Sequence, residues 1–411
     1  MYFCCKVLPM SKEIIIREAY LNRVKPYIDT KIIKIFTGQR RVGKSFILKM
    51  VRQYIESVKP EANIIFIDKE QYEFDFIKDY HTLIQYVEDK TVKGKDNYIF
   101  IDEIQEIDQF EKALRHILNK DIADIYCTGS NAMMLAGDLA TLLSGRYIKI
   151  QVHTLSYIEF LKFHNFDPDD YSLQKYLKWG GLPFIKNLIK EDYIIFEYLK
   201  NIISTIIYKD ILHRFKIRNV EFFDSLIRFI AANTGNLISA KKISEYLKSQ
   251  KIDISPRVVI NYLEYLHYAY LIYKLKRIDI KSKKIFEINN KYFFEDWGLR
   301  NALLGLHNFS VPDILENVVF AHLNQLGYSV GIGLLKNKEI DFVAEKNGRR
   351  IYIQVAYLIS DKKVKEREFG NLLLINDNYP KLVVSLDPYI IGDYEGVKHI
   401  HLRDFLLQTT F

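Results

Sequence analysis

The chain has 411 residues, 49% of them hydrophobic, with 59 Lys and Arg against 51 Asp and Glu and a formal charge of +8. This is enough for two to four domains with cores of their own, and the three cysteines exclude a disulfide framework, since Cys4 and Cys5 are adjacent and Cys127 falls in a predicted strand. The positive excess is scattered among acidic residues, so it permits a nucleic-acid partner without arguing for one, and no apolar run reaches the about 18 residues of a membrane span.

The closest approach to such a run, Ile194 to Leu212, is interrupted by Glu197, Lys200, Lys209 and Asp210. The opening Met1 to Pro9 lacks the core and cleavage site of a signal peptide, and a start at Met10 is an alternative. A reducing cytoplasm is therefore the expected location, with no membrane partner.

The first apolar strand, Ile32 to Thr37, runs into Gly38-Gln39-Arg40-Arg41-Val42-Gly43-Lys44-Ser45 and then a helical segment, Phe46–Ser57. This is the phosphate-binding pattern Gly-x4-Gly-Lys-Ser in its proper strand-to-helix setting. Its glycines let backbone N–H groups approach phosphate oxygens, and the helix adds the positive end of its dipole. Lys44 is expected at the β- and γ-phosphates, Ser45 on magnesium, and Gly38 through Phe46 around the nucleotide. Arg40 and Arg41 either add charge there or brace the loop against a carboxylate.

Strands are expected next at Ile64–Ile67, Tyr98–Ile101, Ile125–Thr128 and Tyr147–Val152, with helices at Ile77–Asp89, Phe110–Asn119 and Ala132–Leu143. Alternation of this kind makes a parallel α/β sheet whose ligands bind at the carboxyl ends of the strands. The third strand ends in Asp102-Glu103, the Walker B pattern: Asp102 for the magnesium shell, Glu103 to polarise the attacking water. After the fourth comes Thr128-Gly129-Ser130-Asn131, where a small polar side chain either senses the γ-phosphate or caps the next helix.

These motifs resemble the AAA+ ATPases, in particular a bacterial and archaeal group whose loop reads Gly-Gln-Arg-Arg-Val-Gly-Lys-Ser and whose C-terminal domain is of unknown function. The resemblance covers almost the whole chain. It implies ATP and Mg2+ as ligands, Lys44 and Ser45 as Walker A residues, and Asp102 and Glu103 as Walker B residues. Ser130 or Asn131 takes the sensor-1 place, with Asn131 catalytic. It also implies that Arg146, in Ser144-Gly145-Arg146, is either an arginine finger toward nucleotide of the same or a neighbouring subunit or a surface arginine at a helix end. A helical lid over the nucleotide is expected from residues 154–215, with Trp179-Gly180-Gly181-Leu182-Pro183 as a turn and one long amphipathic helix from Asp192 to Leu212. No sensor-2 arginine is evident.

Three helices (Glu221–Asn233, Ala240–Lys248, Pro256–Tyr268) and a hairpin (Leu271–Arg277, Lys284–Asn289) then read as a winged helix over 216–295. Ser255-Pro256 is an N-cap followed by proline at the first helical position. Arg257 and Asn261 on the third helix, with Lys281, Lys283 and Lys284 in the wing, make DNA a candidate partner, against a module that only packs or contacts protein.

The last segment, 296–411, has a helix carrying Glu316, a strand carrying Asp341, an Asn347-Gly348 hairpin turn and a strand in which Gln354 falls opposite Asp341. It resembles the restriction-endonuclease-like fold, but Gln354 and Ala356 stand where active members carry Glu-x-Lys. Nuclease activity is not expected unless a lysine such as Lys362 or Lys363 migrates into the site.

The expected architecture is thus an N-terminal extension (1–18), a P-loop AAA+ core (19–153), the lid, the winged helix and a degenerate nuclease-like α/β domain. The expected function is magnesium-dependent ATP hydrolysis coupled to movement of these appendages, with oligomers and a protein partner allowed. The alternatives are an ATP-regulated DNA nuclease and a nucleotide-dependent switch with little turnover. No loop that reads the base is identifiable, so ATP and GTP are not distinguished.

Overall fold

Five strands, β1 (Ile33–Thr37), β2 (Asn63–Asp68), β3 (Asn97–Asp102), β4 (Asp124–Gly129) and β5 (Tyr147–Gln151), form one sheet in the order β2-β3-β4-β1-β5, every neighbouring pair parallel. In this computed structural model, which describes residues 15–132, 143, 145–217, 219–249, 253–282, 284–359 and 362–411, β1 is buried along its whole length and β3 and β4 nearly so. Burial on both faces is why these strands read as unbroken apolar runs and not as alternation. Helices α1 (Glu18–Val24), α2 (Lys44–Val58), α3 (Tyr80–Lys90) and α4 (Phe110–Asn119) accompany them, α2 burying Ile47, Leu48, Val51 and Ile55. The helix expected at Ala132–Leu143 lies almost wholly outside the described residues. Near the amino ends of β1 and β4, the buried Lys34 ammonium is bonded to Asp124, whose Oδ2 also accepts from the Tyr126 hydroxyl at 2.7 Å. This buried charge is paired and so serves the fold.

The chain divides into two compact units: Met1–Thr37, Gly43–Gly129 and Gly137–Gln151 in the first; Gly38–Val42, Ser130–Ala136 and Val152–Phe411 in the second.

The second unit begins with α5 (Tyr157–His164), α6 (Asp170–Trp179) and α7 (Asp192–Thr205). The long helix expected from Asp192 to Leu212 is not α-helical throughout, because Ile206–His213 is a π-helix. Such wide turns re-aim side chains and recur at functional positions. Three helices follow, α8 (Val220–Ala232), α9 (Ala240–Ser249) and α10 (Pro256–Tyr268), then the hairpin β6 (Ile272–Asp279) and β7 (Ile285–Phe294). Pro256 takes the first position of α10 as expected, but the Ser255 hydroxyl makes no capping hydrogen bond.

Then come α11 (Trp297–Leu304), α12 (Leu315–Gln325), β8 (Ser329–Leu335), β9 (Lys338–Lys346), β10 (Arg349–Ala356), α13 (Lys362–Leu373), β11 (Lys381–Ser385), β12 (Asp393–Tyr394), β13 (Val397–His401) and α14 (Leu402–Leu407). The strand order, β12-β13-β11-β10-β9-β8-β6-β7, puts the hairpin in the same eight-stranded sheet as the C-terminal strands through a parallel β6–β8 pairing. Asn347 and Gly348 take left-handed conformations (φ 51° and 76°) in the β9–β10 turn, and Phe342 pairs with Ile353, so the expected register holds.

The residue ending this hairpin region is an anchor that sequence reading passed over. Asp296 is fully buried; its carboxylate accepts from the Leu299 N–H at 3.0 Å, capping α11, and from the Gly181 N–H at 2.8 Å. A Cβ on Gly180 would lie 2.4 Å from Asp296 Oδ1, which explains the glycine in that turn. Burial, with Glu295 next to it, pushes the Asp296 carboxyl up to about 7 against the backbone hydrogen bonds that lower it. Trp297 Nε1 donates to the Tyr176 carbonyl at 2.8 Å and Arg300 Nε to that of Ala231 at 2.9 Å, so α11 ties together helices on both sides of the boundary expected at residue 215.

Candidate phosphate-binding site

In the first unit the strand order places β4 between β1 and β3. Thr128 near the end of β4 is therefore in reach of the acidic pair after β3: its hydroxyl donates to Asp102 and accepts from the Glu103 N–H at 2.8 Å. Asp102 also takes a hydrogen bond from the Ser45 hydroxyl in the first turn of α2, so the two expected magnesium ligands are already together. Burial drives the Asp102 carboxyl upward, opposed by the Ser45 and Thr128 hydroxyls and reinforced by the charges of Glu103 and Asp68. The Lys44 ammonium, 4% exposed, lies 4.0 Å from Glu103 Oε1. Gln105 Nε2 donates to the same carboxylate, and Glu103 itself is held in the left-handed region at φ 54°. A non-glycine residue there carries backbone strain, which is tolerated at sites where a side chain must be aimed.

Asp68 joins this group. It ends β2 in register with Asp102 and accepts from Gln71 Nε2 at 2.9 Å. Its sequence signal was available, because Ile64 to Ile67 followed by Asp repeats the pattern of the third strand. The Thr37 hydroxyl, at the end of β1, is buried and makes no hydrogen bond among the described residues. Phe46, expected near the nucleotide, is 55% exposed. Arg146 is exposed at the start of β5, its carbonyl accepting from the Ile33 N–H at 3.0 Å.

The second unit holds Gly38–Val42 and the Ser130–Asn131 pair, all buried except Arg40, which is partly so, and Arg41, which is exposed. A Cβ on Gly38 (φ 149°) would lie 2.2 Å from the Val152 carbonyl oxygen, so no other residue fits. Arg40 is the residue with a partner that sequence reading left open. Its guanidinium makes a two-pronged pair with Asp210 of the π-helix, 2.7 Å from Nε and 2.9 Å from the terminal nitrogen. Of the two alternatives, bracing against a carboxylate is the one this geometry realises. Asp210 was detectable only as a lone acid within the apolar run Ile206 to Leu212.

The donor set suits a magnesium–triphosphate. A hydroxyl and a carboxylate, both hard oxygen donors, already meet at the Ser45–Asp102 contact, and the Lys44 ammonium lies beside the neighbouring Glu103. Ser45 and Asp102 would hold the metal and Lys44 the phosphates.

A parallel sheet, a glycine-bounded loop and paired acids with these contacts define a P-loop protein of the AAA class, and the AAA domain family matches residues 30–161. Residues 170–310 match a domain of unknown function, DUF8612. The chain is 36% identical over 405 residues to an uncharacterized protein of Haemophilus influenzae, covering 97% of this chain and 100% of that one, and it belongs to the same family. An uncharacterized protein of Methanocaldococcus jannaschii is 32% identical over 358 residues, 82% of this chain and 77% of that one. A solved Walker-type ATPase of Pyrococcus abyssi aligns at 16% identity over 72% of this chain and 97% of that chain, with a TM-score of 0.49.

Proposed function

We propose that the protein binds ATP with magnesium on the loop Gly38–Ser45 and hydrolyses it, and that the state of the loop is passed to the helices of the second unit. The observation that carries this reading is the Ser45–Asp102–Thr128–Glu103 hydrogen-bonded row, which supports Ser45 and Asp102 as metal ligands with Glu103 as the base beside them. Bound magnesium supplies charge neutralisation for the phosphates and an anchor for their orientation. Lys44 exchanges Glu103 for phosphate oxygens, leaving the Glu103 carboxylate to accept a proton from water. Thr128 keeps the backbone at Glu103 in place while this happens. Asn131 orients the water or phosphate, and Arg146, exposed, is free to serve a neighbouring subunit's nucleotide.

Arg40 couples loop to helix through Asp210, so a change in loop conformation is felt in the π-helical segment. DNA is the partner class this reading favours for α10, where Arg257 and Asn261 are exposed, although Glu264 on the same helix is exposed too. Lys281 and Lys284 of the wing are also exposed, while Lys283 is outside the described residues.

The test is nucleotide affinity and turnover with magnesium. Lys44→Ala should weaken ATP binding by about tenfold or more. Wild-type affinity in that variant contradicts the site. Turnover at solvent background in wild type, with ATP bound, would favour the switch over the enzyme.

A further inference from the structure

Four carboxylates gather in the second unit at the positions where the chain resembles a nuclease. Glu316 stands in the first turn of α12, Glu339 and Asp341 lie on β9, and Glu368 is on α13. Asp341 Oδ2 accepts from the Val355 N–H at 2.8 Å, and its own N–H donates to Gln354 Oε1 at 3.4 Å. Neither Lys362 nor Lys363 supplies the lysine that would rescue such a site: both are exposed, and Lys362 pairs with Glu366 of its own helix at 3.7 Å. The lysine that does arrive is Lys291, from β7. Its ammonium is 2.7 Å from Glu316 Oε2, 2.8 Å from Glu339 Oε1 and 3.9 Å from Asp341 Oδ1, and its side chain is 3% exposed.

Two roles are open to an ammonium in such a place, and its surroundings decide between them. A lysine that activates water must give up or share its proton easily. Lys291 is instead shut from water and committed as a donor to Glu316 Oε2 and Glu339 Oε1. It also stands between Glu316 and Asp341, the two acids that would share a metal, and spends its N–H donors on carboxylates. Among the described residues no group of three or more His, Cys, Asp or Glu is arranged to hold a metal as it stands, as expected if the carboxylates are spread at N–H···O distances around an ammonium. One donor is left over: Glu368 Oε2 is buried and makes no hydrogen bond among the described residues, its other oxygen accepting from Arg367 Nε at 2.7 Å. Glu368 lies near both Glu316 and Asp341.

We propose that the Lys291 ammonium is the resident cation of this carboxylate site, standing where a divalent metal would sit, and that removing its charge opens a site for a hard divalent cation. In the native chain the cluster fastens β7 to α12 and β9 and does not cut nucleic acid. Lys291 was invisible as a partner in the sequence because it falls just past the hairpin expected to end at Asn289, inside the segment 216–295 read as a winged helix.

The experiment counts Mn2+ bound to the full-length, nucleotide-free chain by loss of the free-ion paramagnetic resonance signal, and follows thermal unfolding with Mn2+ or with chelator. Lys291→Met, which keeps the apolar stem, and Lys291→Ala should each bind one Mn2+ more per chain than wild type and gain about 3 °C or more in melting temperature at saturating metal. Adding Asp341→Asn should abolish both gains. A Lys291 variant that folds only with Mn2+ supports the proposal. One that stays unfolded with Mn2+, or folds without binding more Mn2+ than wild type, overturns it. So does Mn2+-dependent DNA cleavage by wild type that Asp341→Asn removes.

Discussion

The Arg40–Asp210 pair offers a quantitative test of the link between loop and helix. Its two side chains are 11% and 3% exposed and joined by two hydrogen bonds, so water screens the pair little. Removing one partner of such a pair costs about 3–5 kcal/mol, mostly from stranding the other charge, whereas replacing both with apolar groups is near neutral. Arg40 keeps some exposure, so Asp210→Leu alone should cost about 3 kcal/mol. The double variant Arg40→Met/Asp210→Leu should cost about 1 kcal/mol, giving a coupling near 2 kcal/mol or above. Both tryptophans of the chain, Trp179 and Trp297, are buried in the second unit, so denaturant unfolding followed by their fluorescence reads this unit directly. Nucleotide affinity supplies the sign. If Arg40 braces the loop, Asp210→Leu weakens ATP binding as Arg40→Met does; if Arg40 is a phosphate ligand held in reserve, freeing it strengthens binding. Additive costs within about 0.5 kcal/mol, or tighter ATP binding in Asp210→Leu, refute the brace.

Gly38→Ala should abolish nucleotide binding and lower stability by about 3 kcal/mol, because its Cβ meets the Val152 carbonyl at 2.2 Å; equilibrium binding and unfolding check this together. Thr128→Val leaves the buried Glu103 N–H without its acceptor and should cost about 1–3 kcal/mol, with turnover falling more than affinity in steady-state assays. For Asp296, the folded carboxyl is raised to about 7 from an ordinary value of 3.8, so the folded state holds the proton more tightly. Stability from this group is then full below about pH 4, falls by about 4 kcal/mol as pH rises to about 7, and is flat above. Asp296→Asn, which mimics the protonated group, should remove that slope from a series of melting curves across the window. An unchanged slope would mean that other groups produce it.

The parts of the molecule legible in the sequence are those whose determinants are local. Apolar runs gave β1, β3 and β4, a spacing of glycines with Lys44 and Ser45 gave the loop, and Asn347-Gly348 gave a hairpin register that held to the residue. The π-helical turn after Thr205 was not legible, since its apolar periodicity differs too little from that of an α-helix. Long-range partners were not legible either. Asp210 is 170 residues from Arg40 and Gly181 is 115 from Asp296, and neither acid has a neighbour in sequence that marks its role. Lys291, only 25 residues from Glu316, was hidden for another reason: it belongs to a hairpin whose place in the C-terminal sheet is set by β6 pairing with β8. Thr128 stands in the same loop as Ser130 and Asn131, and nothing in its sequence neighbourhood marks its hydroxyl as the bridge between Asp102 and the Glu103 N–H.

In the proposed mechanism Glu103 takes a proton from water while Lys44 holds the phosphates and Ser45 the magnesium. Glu103→Gln keeps the size of the side chain and an oxygen to accept from Gln105. Measured side by side for wild type and this variant, ATP affinity should agree within about threefold while magnesium-dependent turnover falls by about 100-fold or more. Equal loss of affinity and turnover, or turnover unchanged, would contradict the account.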